Sequence, residues 1–255
     1  METYSLLGVK VNALTIAGLN QLIKSAVENE RKMVIANHNL HSVFLFHHEE
    51  KMRSFYGQAE YIHIDGMPLV FWARVLGLKL KSNNRITYVD WIKPLLAEAA
   101  ENKWRVFYLG GRNGVAEKAL QKINGEFPHL HLQCHHGFFD SQGVPNQEVL
   151  VQIREFQPQV LMVGMGMPRQ EYWILDNLPD IAANVVLTAG ACFDYLAGVI
   201  PTPPRWLGKI GLEWIFRLWH EPRRLWKRYL WEPWLLLPLA PKDVLRRFKK
   251  RKTPC

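Results

Sequence analysis

The sequence predicts an α/β fold: a parallel sheet with helices on both faces, followed by a basic, Trp-rich helical C-terminal appendage. Three observations lead there. Short β-rich runs alternate with longer stretches of helical period. The runs are almost wholly apolar, as strands covered on both faces require. The charge is also lopsided. Residues 199–255 carry 14 Lys/Arg against 4 Asp/Glu, and residues 1–198 carry 18 against 19, for a total of +9.

In chain order, a helical period near 16–29 precedes a strand at Met33–Ala36, and a second near 40–56 precedes one at Tyr61–Ile64. Helical stretches near 67–76 and 88–102 lead to the strand Arg105–Leu109, and one near 114–126 leads to Leu130–Cys134. The stretch near 146–155 feeds the run Val160–Gly164, and that near 168–177 feeds Val185–Thr188. Three prolines between Gly198 and Arg205 then stop regular structure. A body is therefore expected over 1–198 and an appendage over 199–255, with a helix near 207–219.

Composition narrows the class. The 255 residues are 48% hydrophobic and 22% charged, which excludes disorder, collagen and coiled coil. Cys134, Cys192 and Cys255 are odd in number and far apart, so no disulfide framework or zinc spacing arises and a reducing compartment is expected. The N-terminus has no signal-peptide pattern, and no run of 18 apolar residues occurs. The appendage holds six of the ten tryptophans. With its charge, it suits a membrane surface, a phosphate-bearing ligand or nucleic acid. Within it, Trp214, Leu218, Leu225 and Tyr229 recur near helical spacing, as do Arg217, Arg224 and Arg228. That pattern describes a helix at a lipid headgroup layer, broken in two at Glu221-Pro222.

An open α/β sheet binds its ligand beyond the carboxyl ends of its strands. Asn37-His38-Asn39 follows the first strand, Asp65-Gly66-Met67-Pro68 the second and Gly110-Gly111-Arg112-Asn113-Gly114 the third. The strand ending at Gly164 runs into Met165-Gly166-Met167-Pro168-Arg169-Gln170-Glu171. The Gly110-Gly111-x-x-Gly114 turn can bring backbone N–H groups and a helix N-terminus to a phosphate, although a ligand-free tight turn fits the same spacing. Gly164-x-Gly166 departs from the dinucleotide fingerprint, because Arg169 stands where its last glycine would be. A nicotinamide dehydrogenase is thereby disfavoured, and a nucleotide or nucleotide-sugar fits. Asp65 has two readings. Position alone favours a helix N-cap; a carboxylate in a partly dry crevice also suits a general base.

The ten histidines give no metal site: two adjacent pairs cannot converge on one ion, and His131 and His135 lie in an extended segment. No Asp-x-Asp occurs. A diphosphate would then be neutralised by Arg, Lys and backbone N–H groups, and neither metal nor cofactor is expected.

Several blocks in order carry a resemblance over nearly the full length. They are Asn39, Ala59-Glu60-Tyr61-Ile62-His63-Ile64-Asp65-Gly66, Arg85 with Asp90, and Arg105-Val106-Phe107-Tyr108-Leu109-Gly110-Gly111. His135-His136-Gly137-Phe138-Phe139, Val163 through Glu171, Gly190-Ala191-Cys192-Phe193-Asp194 and Pro204-Arg205-Trp206 follow. The last runs from Gly211-Leu212-Glu213-Trp214 through Glu221-Pro222-Arg223-Arg224. The chain resembles the WecB/TagA/CpsF glycosyltransferases (glycosyltransferase family 26).

The resemblance implies a Rossmann-like body and an inverting, metal-independent transferase. Its donor would be a UDP-sugar and its acceptor a sugar on a polyprenyl diphosphate lipid, in cell-wall or exopolysaccharide biosynthesis. The protein would be cytoplasmic and peripheral on the inner face of the cell membrane, an anionic surface. By the same resemblance Asp65 matches the catalytic base, Gln170 a polar position at the sugar pocket, and Arg85 one beside it. Gly110 and Gly111 would cradle the uridine diphosphate, with Gly164 and Gly166 nearby. Arg217, Arg223, Arg224 and Arg228 match basic positions facing diphosphate groups. Where many members read Thr-Pro-Asn, this chain reads Asn37-His38-Asn39. Asn37 can still exchange hydrogen bonds and His38 could titrate near neutrality, so a shifted sugar preference is expected beside the UDP-N-acetylmannosamine alternative. A non-enzymatic membrane or nucleic-acid module is the remaining alternative. No nucleic-acid partner is expected, and self-association of the body is.

Overall fold

The computed structural model describes residues 1–252, apart from the side chains of residues 209 and 248–252; Cys255 lies outside the described residues. The chain opens with a hairpin not expected from the sequence, β1 (Thr3–Leu6) and β2 (Val9–Asn12). Its turn, Leu7-Gly8, has positive φ at both residues (49° and 82°), the geometry that a two-residue connection between twisted strands needs. Leucine is an unusual residue there, so the turn does not advertise itself.

After α1 (Ile16–Glu28), strands and helices alternate as expected. They run β3 (Met33–His38), α2 (Leu40–His48), α3 (Glu50–Gln58), β4 (Tyr61–Ile64), α4 (Met67–Val75), α5 (Tyr88–Glu101), β5 (Arg105–Gly110) and α6 (Val115–Glu126). Then come β6 (His131–His135), α7 (Val144–Phe156), β7 (Val160–Gly164), α8 (Arg169–Asn177), β8 (Val185–Thr188) and α9 (Cys192–Ala197). β3 to β8 form one six-stranded parallel sheet in the order β4-β3-β8-β7-β5-β6. Alternate residues explain why the inner strands are so largely apolar. Ile35, Tyr108, Met162 and Leu187 pack with α1, α5, α6 and α9, while Ala36, Phe107, Leu161 and Val186 pack with α3, α7 and α8 on the other face.

Two expected helices are broken. The stretch near 40–56 splits at Glu49, whose backbone is extended (φ −125°, ψ 122°). The stretch near 207–219 splits at Gly211 (φ 81°) into α10 (Arg205–Ile210) and α11 (Glu213–His220). The short α9 is not expected from the sequence. Glu221-Pro222 breaks the chain as anticipated, and α12 (Pro222–Trp226), α13 (Glu232–Leu236) and α14 (Ala240–Lys252) follow.

These breaks change the phase of the appendage. Leu225 is fully buried, and Trp214 and Tyr229 line a cavity rather than face outward. The exposed apolar groups are instead Trp206, Trp219, Trp231, Trp234 and Leu237. Leu236 joins Leu6, Val9, Met67 and Val70 in a cluster between the hairpin and α4. Asp243 caps that contact, accepting from the Leu7 N–H and from Trp72 Nε1.

Candidate active site

Two cavities meet at the carboxyl edge of the sheet. The larger, about 880 Å³, crosses the ends of β3, β8 and β7 and is roofed by α11 and α12. The smaller, about 170 Å³, lies among α4, α11 and Tyr229, with Leu40, Met67, Pro68, Leu69 and Trp214 on its walls. Asn39, His41, Asp65, Thr87, Glu213, Arg217 and Arg228 line both.

Asp65 is therefore at the junction. The N-cap of α4 is Gly66 (φ 129°), which makes no side-chain cap bond, so the carboxylate is not spent on the helix. Its Oδ2 instead accepts from Asn37 Nδ2 at 3.1 Å. Burial, and after it the Glu213 carboxylate, push the Asp65 carboxyl above its usual range, against the pull of Arg217, Arg85 and Arg228. A carboxylate so tuned is a better proton acceptor than one in water.

Apart from Arg85, these surrounding charges come from residues beyond 199. Burial works against the charge of Arg217, but Tyr229, Tyr195, Asp65 and Glu213 outweigh it and keep the guanidinium protonated. Its buried Nε has no partner among the described residues. Burial pulls Arg228 below its usual range, yet an arginine stays charged at any physiological pH. Arg224 lines the larger cavity and is held by Glu221 at 2.9 Å. Arg223 is exposed and lines neither cavity.

The other expected positions divide by task. Gly111 and Gly166 line the larger cavity, with φ of 69° and 79°. Gly110 lies behind it: a Cβ there would collide with the Gly164 carbonyl. Gly164 lines the larger cavity and has the same constraint, because a Cβ would meet the Tyr108 hydroxyl and the Gly190 carbonyl, so these two glycines let β5, β7 and the β8 loop close up. Gln170 is fully buried at the cavity floor. Its Nε2 donates to Glu171 Oε1 (2.8 Å) and its Oε1 accepts from the Gly190 N–H (3.1 Å). Asn39 is the N-cap of α2, its Oδ1 accepting from Ser42 N at 3.1 Å, which leaves Nδ2 for a ligand. Arg85 lines the smaller cavity and is paired with both Glu213 (2.9 Å) and Asp90 (3.1 Å).

His38 differs from expectation. It is fully buried, stacked on Tyr56 at 3.9 Å, and burial, then His47 and His63, lower its pKa to about 3. It stays neutral through the physiological range and serves packing. Wall residues that carry no expectation from sequence include Glu213, Thr188, Thr87, and the pair His41 and Glu232, joined at 2.6 Å. Glu213 stands inside a quoted block and Thr188 ends an expected strand, but neither has a spacing that announces chemistry. Among the described residues, no three His, Cys, Asp or Glu side chains converge as metal ligands.

The chain is similar over most of its length to known proteins. The N-acetylglucosaminyldiphosphoundecaprenol N-acetyl-beta-D-mannosaminyltransferase of Bacillus subtilis (strain 168) is 28% identical over 243 residues, 95% of this chain and 91% of its own. The protein of that name from Staphylococcus aureus (strain MW2) is 28% identical over 227 residues, 88% and 85% of the two chains. The sequence model of the Glycosyl transferase WecG/TagA/CpsF family matches residues 4–252. With that span matched and the cavities at the sheet edge in place, the chain belongs to the WecG/TagA/CpsF family of glycosyl transferases and is a hexosyltransferase.

Proposed function

We propose that this enzyme is an inverting, metal-independent transferase moving a hexose or N-acetylhexosamine(uronate) from a UDP-sugar to a sugar on a polyprenyl diphosphate, in bacterial cell-surface polysaccharide synthesis. The observation that carries the reading is the meeting of two unlike cavities at Asp65. The larger, with glycines at the strand ends and arginines above, suits a nucleotide diphosphate-sugar. The smaller, mostly apolar cavity suits the acceptor sugar and the first part of its lipid.

The chemistry follows from where charge develops. The acceptor hydroxyl attacks the anomeric carbon and gives its proton to Asp65, as the bond from that carbon to the UDP oxygen breaks. Negative charge grows on the leaving diphosphate, and Arg217, Arg224 and Arg228 are near enough to the larger cavity to stabilise it. One in-line displacement inverts the anomeric centre. The relatives' names favour an N-acetylmannosaminyl donor as a second reading; Asn37-His38 in place of Thr-Pro keeps other hexosamines in view.

The segment from 199 onward would be the membrane-facing appendage. No described helix is long and apolar enough to cross a membrane, and its exposed tryptophans suit a peripheral position on the cytoplasmic leaflet. The test is a panel of UDP-sugars, including UDP-N-acetylmannosamine, with a short-chain polyprenyl-diphosphate N-acetylglucosamine, following UDP release and the anomeric configuration of the product. Transfer with inversion, retained in excess EDTA, is expected. Retention of configuration, or loss on chelation restored by magnesium or manganese, would overturn the corresponding part. No UDP release with any donor would overturn the whole.

A further inference from the structure

Three adjacent strand tips carry a line of hydrogen bonds. β4, β3 and β8 are neighbours in the sheet, and Asp65, Asn37 and Thr188 stand at or just beyond their carboxyl ends. Thr188 Oγ1 donates to Asn37 Oδ1 at 2.9 Å, and Asn37 Nδ2 donates to Asp65 Oδ2 at 3.1 Å. Asn37 and Thr188 are 5% and 2% exposed, and the Asn37 backbone carbonyl is held by the Tyr56 hydroxyl at 2.8 Å. The order of donors is self-consistent. An ionised Asp65 accepts only, so the NH2 end of the carboxamide must face it. The carbonyl end then faces Thr188, whose hydroxyl must donate.

We propose that Asn37 and Thr188 are positioning residues for the base: the Thr188 hydroxyl locks the Asn37 carboxamide, which holds Asp65 Oδ2 and leaves Oδ1 for the acceptor hydroxyl. This rests on Asp65 being the general base. It changes the task of Asn37 from touching substrate to orienting and ionising the residue that does the chemistry. Both ends of the carboxamide are already engaged within the protein, which a substrate contact would not require. A hydrogen bond donated to a carboxylate favours its ionised form, and a fixed carboxylate needs no reorientation as the proton moves.

The test is kcat and KM against pH for Asn37→Leu, Thr188→Val and Thr188→Ser, with Asp65→Asn alongside. The charged groups around Asp65 (Arg85, Glu213, Arg217 and Arg228, with His41 and Glu232 on the same walls) are left in place by all three positioning variants. Asn37→Leu should lower kcat about tenfold and move the acid limb of kcat up by about one pH unit. Thr188→Val should move both the same way by less, Thr188→Ser should restore them, and KM for either substrate should stay within about twofold. An unmoved acid limb with a raised KM would overturn the proposal and return Asn37 to substrate binding. Variants that change neither would make the pair mere packing. Should Asn37→Leu fail to fold, as judged by circular dichroism, the volume-matched Thr188→Val against Thr188→Ser decides. Wild-type turnover by Asp65→Asn would instead remove the base itself, and the proposal with it.

Discussion

Arg85 and Glu213 meet at 2.9 Å, and this contact ties the segment between α4 and α5 to α11 beside Asp65. Arg85 is fixed to the sheet: it bridges to Ile64 at the end of β4, and the Ile86 N–H donates to the Ile64 carbonyl at 2.8 Å. Glu213 is the first residue of α11 in the appendage. Asp90 takes the other side of Arg85 and also meets Arg205. The Arg85 side chain is only 9% exposed, and these carboxylates compensate its buried guanidinium. Glu213 thus serves two ends, neutralising Arg85 and raising the proton affinity of Asp65.

Glu213→Gln separates them. Without the carboxylate, Asp65 loses a cause of its raised pKa, so the acid limb of kcat should move to lower pH, opposite in sign to the Asn37 variant. A weaker base should also lower the plateau kcat several-fold. Loss of one charged partner should cost about 1–3 kcal/mol of stability, measured by denaturant unfolding, because Arg85 keeps Asp90. An unmoved acid limb would mean that Glu213 acts on Arg85 alone.

Asp65→Asn keeps the shape of the junction and removes the proton acceptor. Turnover should fall by roughly 10²–10⁴, the usual worth of a general base. UDP affinity, measured by calorimetry, should change little. Because Gly66 and not Asp65 is the cap of α4, stability should not fall as it does when a cap is lost. Wild-type turnover would remove Asp65 from the chemistry.

The sheet was legible because its inner strands, β3, β8, β7 and β5, are covered on both faces. Runs such as Val160–Gly164 cannot alternate, and apolarity alone marks them. Asp65 was legible as a candidate because a carboxylate between an apolar strand and a glycine has few places to be. The hairpin was hidden by its Leu7-Gly8 turn. Thr188 and Glu213 were hidden for another reason: their roles exist only through partners 151 and 128 residues away, Asn37 and Arg85. The appendage misled in one respect. Helical spacing across Glu221-Pro222 linked Trp214 to Leu225 and Tyr229, but the break there resets the phase and turns those groups inward.

Glu171 should set the pH dependence of stability. It is fully buried, its Oε2 has no partner among the described residues, and burial, only partly opposed by the Gln170 hydrogen bond and Arg228, raises its pKa to about 7. A carboxyl whose folded pKa lies above its unfolded value, near 4.5, favours folding only while protonated. Its cost therefore grows as pH rises from about 4.5 to 7 and is complete above that. Glu171→Gln keeps the acceptor for Gln170 Nε2 and cannot ionise. It should stabilise the protein by about 2–3 kcal/mol at pH 8 and by little at pH 4.5, read from urea unfolding. Equal stabilities at pH 8 would show that Glu171 is neutralised by another route.

The last prediction concerns the outer surface of the appendage. Trp219 is 84% exposed, Trp234 68% and Trp231 62%, so three large aromatic side chains within sixteen residues face solvent. Arg217 and Arg228 line the site, so the cations that remain for a surface are others beyond residue 199, such as the exposed Arg223, Lys242 and Arg246. Indole rings favour the headgroup layer, where the ring is withdrawn from water while its N–H stays solvated. Each tryptophan removed should then weaken binding to anionic vesicles roughly tenfold, since withdrawing an indole is worth on the order of 1–2 kcal/mol. Trp219→Ser and Trp231→Ser should show this in sedimentation with phosphatidylglycerol vesicles. Because neither residue lines a cavity, both variants should keep wild-type kcat on a short-chain, water-soluble acceptor while losing transfer to a full-length lipid in vesicles. If binding is instead lost only when salt is raised, and is indifferent to the tryptophans, charge alone holds the enzyme at the membrane. If transfer to the soluble acceptor falls in parallel, the tryptophans shape the site and not its approach to lipid.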